Sequence, residues 1–351
     1  MRTLRAFLTD LLLVLGAIAA TAAILTVALA MGGHSPHFLL DWAAGACGSW
    51  GQILVSMRDA CPLILTGLAA GVAFRSGVFN IGAEGQSILG SIAAVTLATR
   101  LAPASTPPLI AIPLTLLVAA FGGALWALLP AALDRLRGVP IVLSTILLNF
   151  VALFLARLLI EGPLKTAKTG VSQSDALQGG FLLPILAHSG PGYVHVGILI
   201  AVGIAAIAWL VQSRTAFGFE ILVTGLNPVA AQYAGMPVAR RQFAVMLLSG
   251  AFAGLAGAVH LMGVEGSHSL GSDPVTYGYA GIAVALLGRL HPVGIVLAAI
   301  FFAMLDTGAV PLQFKTSLPQ EISDIVKGLI VLVILAATAM VARRRSVAAE
   351  H

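Results

Sequence analysis

Long apolar runs, separated by short polar or glycine-rich breaks, occupy most of the chain, and their lengths predict helices that cross a lipid bilayer. A hydrocarbon core takes about 20 apolar residues of helix. On that ruler, spans are predicted near 11–31, 60–74, 84–102, 108–133, 140–160, 194–212, 243–263, 276–290, 292–308 and 324–341. Two of them, 60–74 and 276–290, are short, which implies tilt, extension at their ends or incomplete crossing. The first run, Leu11 to Met31, is longer than the apolar region of a secretory leader and is read as a retained first span.

Residues 60–102 cannot form one helix, because a continuous helix there would be about 64 Å long, twice the hydrocarbon thickness. A break must fall at Gly77–Gly82, inside the stretch FRSGVFNIGAEGQ from Phe74 to Gln86. Irregular backbone near membrane depth is tolerated where it is buried in protein or lines a water-filled cavity. A new helix is expected to begin near Ile81, with Glu84 in its first turn, where the helix dipole favours a carboxylate. Two readings of Asn80, Glu84 and Gln86 stay open: a capped helix with glycine hinges, or a polar break that lines or gates a solute path. Asn149, in the middle of STILLNFVALF, carries the same pair of alternatives, a helix-to-helix bond or a path-lining amide. Gly250, Gly254 and Gly257 in LSGAFAGLAGAV recur at spacings of three and four residues, as close helix packing requires. Asp306 and Arg157 fall near the outer ends of their spans, where the interface can solvate them.

Composition agrees with this pattern. The chain is 59% hydrophobic and 9% charged, with a mean hydropathy of +1.00. A soluble domain carries about 25% charged residues, so this chain has too few to cover a water-facing surface. The expectation is an all-α, polytopic membrane protein of about ten transmembrane helices, with residues 1–351 forming one domain. With the N-terminus inside, 12 of the Arg and Lys residues fall on the cytoplasmic side and 7 on the outer side, which places both termini in the cytoplasm.

The net charge of +5 comes from scattered basic residues without interleaved aromatics, which speaks against a nucleic-acid surface. Cys47 and Cys61 have no metal-ligand spacing and read as free thiols. The histidines are dispersed near span ends and read as capping or interfacial groups. No phosphate-cradling G-x-x-x-x-G-K-[ST], no H-E-x-x-H and no G-x-S-x-G occurs. The chain is therefore not expected to be an enzyme, nor to bind a cofactor or metal itself.

Two polar segments remain. Residues 161–193, rich in Gly, Pro, Ser and Thr, are expected outside, and residues 213–242 inside. Within the inner one, LNPVAAQYAGMPVARR has a helix start at Asn227–Pro228 and stops at Gly235 and Pro237, which predicts a brief helix on the cytoplasmic face.

Taken together and in order, PLILTGLAAGVAFRSGVFNIGAEGQSILG, VLSTILLNFVA, TGLNPVAAQYAGMPVAR, LSGAFAGLAGAVHLMG and YGYAGIAVALLGRLHPVGIVLAAIFFAML resemble the permease subunits of nucleoside and simple-sugar ABC importers. The wider superfamily holds branched-chain amino-acid and ribose permeases. The resemblance implies the ABC importer permease fold in a bacterial cytoplasmic (inner) membrane. It also implies a second homologous permease, a cytoplasmic ABC ATPase that binds the ATP, and an extracytoplasmic solute-binding protein that delivers a small-molecule solute. Carried over, the segment from Gly225 to Met236 is the ATPase-coupling helix, with Gly225, Asn227, Pro228, Ala230, Ala231 and Gly235 as its coupling residues. One position departs from the family: GVPIVLSTILLNF has Pro140 and Ile141 where a polar or acidic residue often stands. Nucleosides or nucleobases lead as solutes and simple sugars follow. Branched-chain amino acids, or an ion-coupled secondary transporter, are the alternatives.

Overall fold

The computed structural model describes residues 38–316, apart from 168–169, 265–267 and 275–276, together with positions 325, 328, 329, 332, 333 and 336. The expected spans 11–31 and 324–341 lie outside the described residues, apart from those few positions. The described chain is predominantly helical. Its helices are α1 (Phe38–Cys47), α2 (Trp50–Arg75), α3 (Ala83–Thr96), α4 (Pro108–Arg137), α5 (Ile141–Glu161), α6 (Gly197–Arg214), α7 (Ala216–Leu226), α8 (Pro228–Tyr233), α9 (Val238–Gly263), α10 (Gly278–Leu287) and α11 (Pro292–Thr316). Among the described residues, six helices are long and apolar enough to cross a membrane: α2, α4, α5, α6, α9 and the first part of α11.

Several boundaries differ from the sequence expectation. The short run 60–74 belongs to α2, which starts ten residues earlier at Trp50 and is long enough to span. Its first turns carry Arg58 and Asp59, whose side chains pair at 2.7 Å and so enter the helix together. The run 84–102 is α3 followed by a π-helical turn at Leu97–Leu101. The run 276–290 contains only the ten residues of α10, a rise of about 15 Å, which is half a bilayer.

The all-α expectation also missed a hairpin. Strands β1 (Ile185–Ser189) and β2 (Gly192–His195) pair antiparallel, with Ala187 opposite Val194 and a bulge after Ile185. β2 is buried, while β1 is largely exposed. The segment before the hairpin is tied to the loop after α9: Ser174 N–H donates to the Leu270 carbonyl at 2.9 Å, and Leu177 N–H to that of His268 at 2.9 Å.

The described residues divide into two compact units, one over Met57–Ala303 and the other from the described residues on either side of it. In the smaller unit, Trp42 of α1 is buried and its indole N–H donates to the Leu305 carbonyl at 2.8 Å. In the larger unit, α9 packs most extensively on α4 and α3, and α3 packs on α4 and α5. The glycine spacing expected in α9 produces these contacts. Gly250 lies against the backbone of Gly123, Gly254 against that of Ala119, and Gly257 against that of Ser87. Without a hydrophobic drive between helices in lipid, such backbone approach supplies the dispersion contact that holds them.

Buried small residues complete this seam: Ala69, Ala83 and Ala253 form one cluster, and Val78, Ala127, Ala131 and Met246 another. By contrast, α4, α5 and α6 expose rows of Leu, Phe and Ile, including Leu117, Phe121, Leu147, Phe154, Leu199 and Ile207. Those faces suit lipid or other apolar surfaces, whereas α2 and α9 form the interior.

Candidate functional site: a broken helix and two meeting helix starts

The break between α2 and α3 runs from Ser76 to Gly82. Gly77 takes a φ of +79°, which turns the chain back into the bundle. The new helix begins at Ala83, two residues later than the sequence suggested, with Gly82 at the N-cap and no side-chain cap of its own. A helix start leaves four N–H groups without intrahelical partners, and in a membrane these must be met by the protein.

Asn149 meets one of them from another helix. Its Oδ1 accepts from Gly85 N–H at 2.9 Å, the bond an N-cap side chain ordinarily makes. Its Nδ2 donates to the Ile81 carbonyl at 3.0 Å and to the Tyr279 hydroxyl at 3.2 Å. Asn149 is nearly fully buried.

Asn80 works within the break itself. Its Oδ1 accepts from Gly82 N–H at 2.8 Å and from Gln86 Nε2 at 3.2 Å. Its Nδ2 donates to Gln86 Oε1 at 3.0 Å and to Ser249 Oγ at 2.8 Å. Ser249 in turn donates to the Ala69 carbonyl at 2.7 Å. All hydrogen-bonding positions of the Asn80 amide are thereby used, and α2, the break, α3 and α9 are joined through one buried amide pair.

Glu84 faces another way. Its Oε2 accepts from Gly278 N–H at 3.0 Å and Tyr279 N–H at 3.3 Å, the first two residues of α10. Gly278 permits this, because a side chain there would collide with the Glu84 backbone. Two helix starts therefore meet at one carboxylate. Each carries about half a positive charge, so Glu84 offsets both, from the first turn of α3 and as the cap of α10.

The four residues Asn80, Glu84, Gln86 and Asn149 are thus brought together around these two helix starts. Both earlier alternatives for Asn149 bear on this geometry, and the helix-to-helix bond is present. Sequence reasoning missed Tyr279 and Ser249. The signal for Tyr279 was the shortness of the run 276–290, since a helix too short to cross must begin inside the bundle.

The second group of interest is the segment expected to couple to an ATPase. Residues 213–242 hold the expected brief helix, α8, preceded by a second helix, α7. Thr215 Oγ1 caps α7 by accepting from Gly218 N–H at 3.2 Å, and Arg241 at the start of α9 pairs with Glu220. Asn227 caps α8, with its Oδ1 accepting from Ala230 N–H at 2.9 Å, and Pro228 is the first helical residue. Ala231 is fully buried, and Gly235 takes a φ of +80° as the helix ends. Gly225 lies in the last turn of α7, against the backbone of Arg75 and Gly77. A methyl group there would strike the Arg75 carbonyl oxygen. The segment leading into α8 therefore touches the break directly.

Two further polar groups lie on the hairpin side. Arg157 pairs with Asp273 rather than standing alone. His195 at the end of β2 is a capping histidine, its Nδ1 accepting from Gly197 N–H at 3.0 Å at the start of α6. The ring is wedged against Gly263, and its Nε2 is buried without a hydrogen-bond partner among the described residues. Burial first, then the nearby charges of Arg58, His260 and His268, lower its pKa from 6.5 to about 4. The folded state thus binds this proton less readily than the unfolded chain does. Stability from neutral His195 is present above pH 6.5 and is lost as the pH falls towards 4, by at most about 3 kcal/mol. The apparent melting temperature of the purified protein is expected to fall over that window. His195→Asn, which keeps an acceptor for Gly197 N–H, is expected to flatten the slope; an unchanged slope would assign it to other groups.

Among the described residues, no cluster of His, Cys, Asp or Glu has the arrangement of a metal site. What the fold does contain is a set of apolar spanning helices, a polar break within the bundle, and an inter-helix segment that touches that break. Its apolar helices make it a multi-pass membrane protein. The chain belongs to the family described as the permease component of the branched-chain amino acid transport system, whose sequence pattern matches residues 52–335.

Similar proteins share most of its length. The guanosine ABC transporter permease protein NupP of Bacillus subtilis (strain 168) is 38% identical over 299 residues, covering 84% of each chain. The glucose ABC transporter permease protein TsgB13 of Haloferax volcanii is 36% identical over 284 residues, covering 79% of this chain and 74% of that one. The nucleoside ABC transporter permease protein NupB of Lactococcus lactis subsp. cremoris (strain MG1363) is 34% identical over 298 residues, covering 82% of this chain and 79% of that one.

Proposed function

We propose that this chain is the transmembrane permease subunit of an ATP-driven importer for nucleosides or nucleobases, with simple sugars as the second solute class. The observation that carries the reading is the family membership together with the break at Asn80–Glu84. The substrate class rests on the relatives named for guanosine and nucleosides; the glucose permease relative keeps sugars in second place.

The chain itself supplies a path and a coupling surface. ATP is bound and hydrolysed by separate ATPase subunits, and a second homologous permease completes the membrane unit. An extracytoplasmic binding protein delivers the solute, so the permease needs only weak affinity. The whole chain acts as one membrane domain of about ten spans in a bacterial cytoplasmic membrane, with both termini inside.

In this reading α8 is the coupling helix. Leu226, Val229 and Tyr233 are exposed on and beside it, and Tyr233 is 90% exposed, which gives an ATPase an apolar surface to engage. Motion of α8 reaches the break through Gly225. Glu84 and Asn149 border the solute path, while Asn80 and Gln86 stand behind them and hold the break in shape.

The test is uptake of labelled guanosine, adenosine and ribose by cells expressing the whole transporter. Uptake is expected to stop on ATP depletion and to survive collapse of the proton gradient. The reverse pattern would replace this reading with an ion-coupled transporter.

A further inference from the structure

Tyrosine is enriched where a bilayer meets water, but Tyr279 is not placed there. Its hydroxyl is bonded to Asn149, the ninth residue of α5, about 12 Å along a helix about 30 Å long. The hydroxyl therefore lies at the middle third of a spanning helix, whichever end faces the cytoplasm. Tyr279 is nevertheless 51% exposed. A polar side chain at that depth belongs against the bundle interior or a water-filled cavity rather than lipid tails. Such an exposed surface at mid-depth is placed where a side chain bordering a polar solute path would be.

The residue is also held at two points, its hydroxyl and its backbone. Asn149 Nδ2 donates to its hydroxyl at 3.2 Å, and Glu84 Oε2 accepts from its backbone N–H at 3.3 Å. Glu84 and Asn149 are themselves fixed by the start of α3. An aromatic face that is ordered before the solute arrives loses little freedom on stacking.

We infer that Tyr279 is a solute-contacting residue whose ring stacks on the planar heterocycle of a nucleoside or nucleobase, with Glu84 and Asn149 as the residues that position it. This rests on the nucleoside-import reading and adds to it the residue that contacts the base. Tolerance among bases is expected, because every base has a face that can stack on the ring.

The test is guanosine uptake at low concentration by the complete transporter carrying Tyr279→Phe or Tyr279→Leu, with protein level and stimulated ATP hydrolysis measured on the same membranes. Tyr279→Phe keeps the ring but loses the hydroxyl through which Asn149 holds it, and is expected to lose about threefold, whereas Tyr279→Leu is expected to lose about tenfold or more. Hydrolysis and protein level are expected to remain as in the parent for both. Normal uptake by Tyr279→Leu would overturn the contact, as would equal losses in the two variants, or a loss matched by lower protein level or hydrolysis. A parent transporter that takes up ribose or glucose but no nucleoside would overturn the substrate class along with it. Parent uptake of guanosine with an unaffected leucine variant would overturn the contact alone.

Discussion

Asn149→Leu is expected to lower the stability of the folded protein by about 3 kcal/mol and to reduce transport well beyond the accompanying loss of protein. Leucine fills a similar volume but offers nothing to Gly85 N–H or the Ile81 carbonyl, which both lose the Asn149 amide. Gly85 is buried, so its N–H finds no ready replacement for the Asn149 amide, and the penalty is the desolvation of a buried backbone group rather than the modest net value of a hydrogen bond. The Tyr279 hydroxyl loses its donor at the same time. A lower melting temperature with little residual uptake would agree. Parent-like melting would mean that the start of α3 finds other partners and that the Asn149 cap is dispensable.

Gly225→Ala is the second large effect, and it acts on motion rather than on folding alone. The added methyl meets the Arg75 carbonyl and crowds Gly77, so the obstacle is backbone and cannot rotate aside as a side chain would. α7 must move off the break to accept it. Overpacking of this kind costs about 1–3 kcal/mol, and the same shift loosens the contact of the segment leading into α8 with Arg75 and Gly77 at the edge of the break. Uptake is expected to fall about tenfold or more. Gly235→Ala, at a position with open space but a φ of +80°, tests helix termination instead and leaves the contact with the break intact.

Much of this arrangement was legible from local rules. Bilayer length alone forced the break at Gly77–Gly82, dipole logic put Glu84 in a first turn, and Asn227–Pro228 announced the start of α8. The glycine spacing in α9 was enough to predict close packing. What could not be read was partnership across the chain. Glu84 and the start of α10 are nearly two hundred residues apart, and no periodicity records that one caps the other. The early start of α2 was hidden because Arg58 and Asp59 interrupt its apolar run; in the fold they pair with each other, and Arg58 also lies over the Tyr193 ring. The β hairpin escaped because its strands are four and five residues long, too short for an alternating pattern to stand out. Tyr279 was overlooked since a tyrosine before an apolar run reads as an interfacial anchor until the depth of its hydrogen-bonding partner is known.

The central claim is that ATP-driven movement of the segment at α8 is passed to the break and so moves a nucleoside inwards. The most direct measurement records guanosine uptake and ATP hydrolysis together, in proteoliposomes that hold this chain with its partner permease, ATPase and binding protein. For the parent protein, uptake is predicted to require ATP and to rise in step with hydrolysis. For Gly225→Ala, hydrolysis is predicted to continue while uptake falls away. Uptake that proceeds without ATP, or that is untouched by Gly225→Ala, would contradict the account.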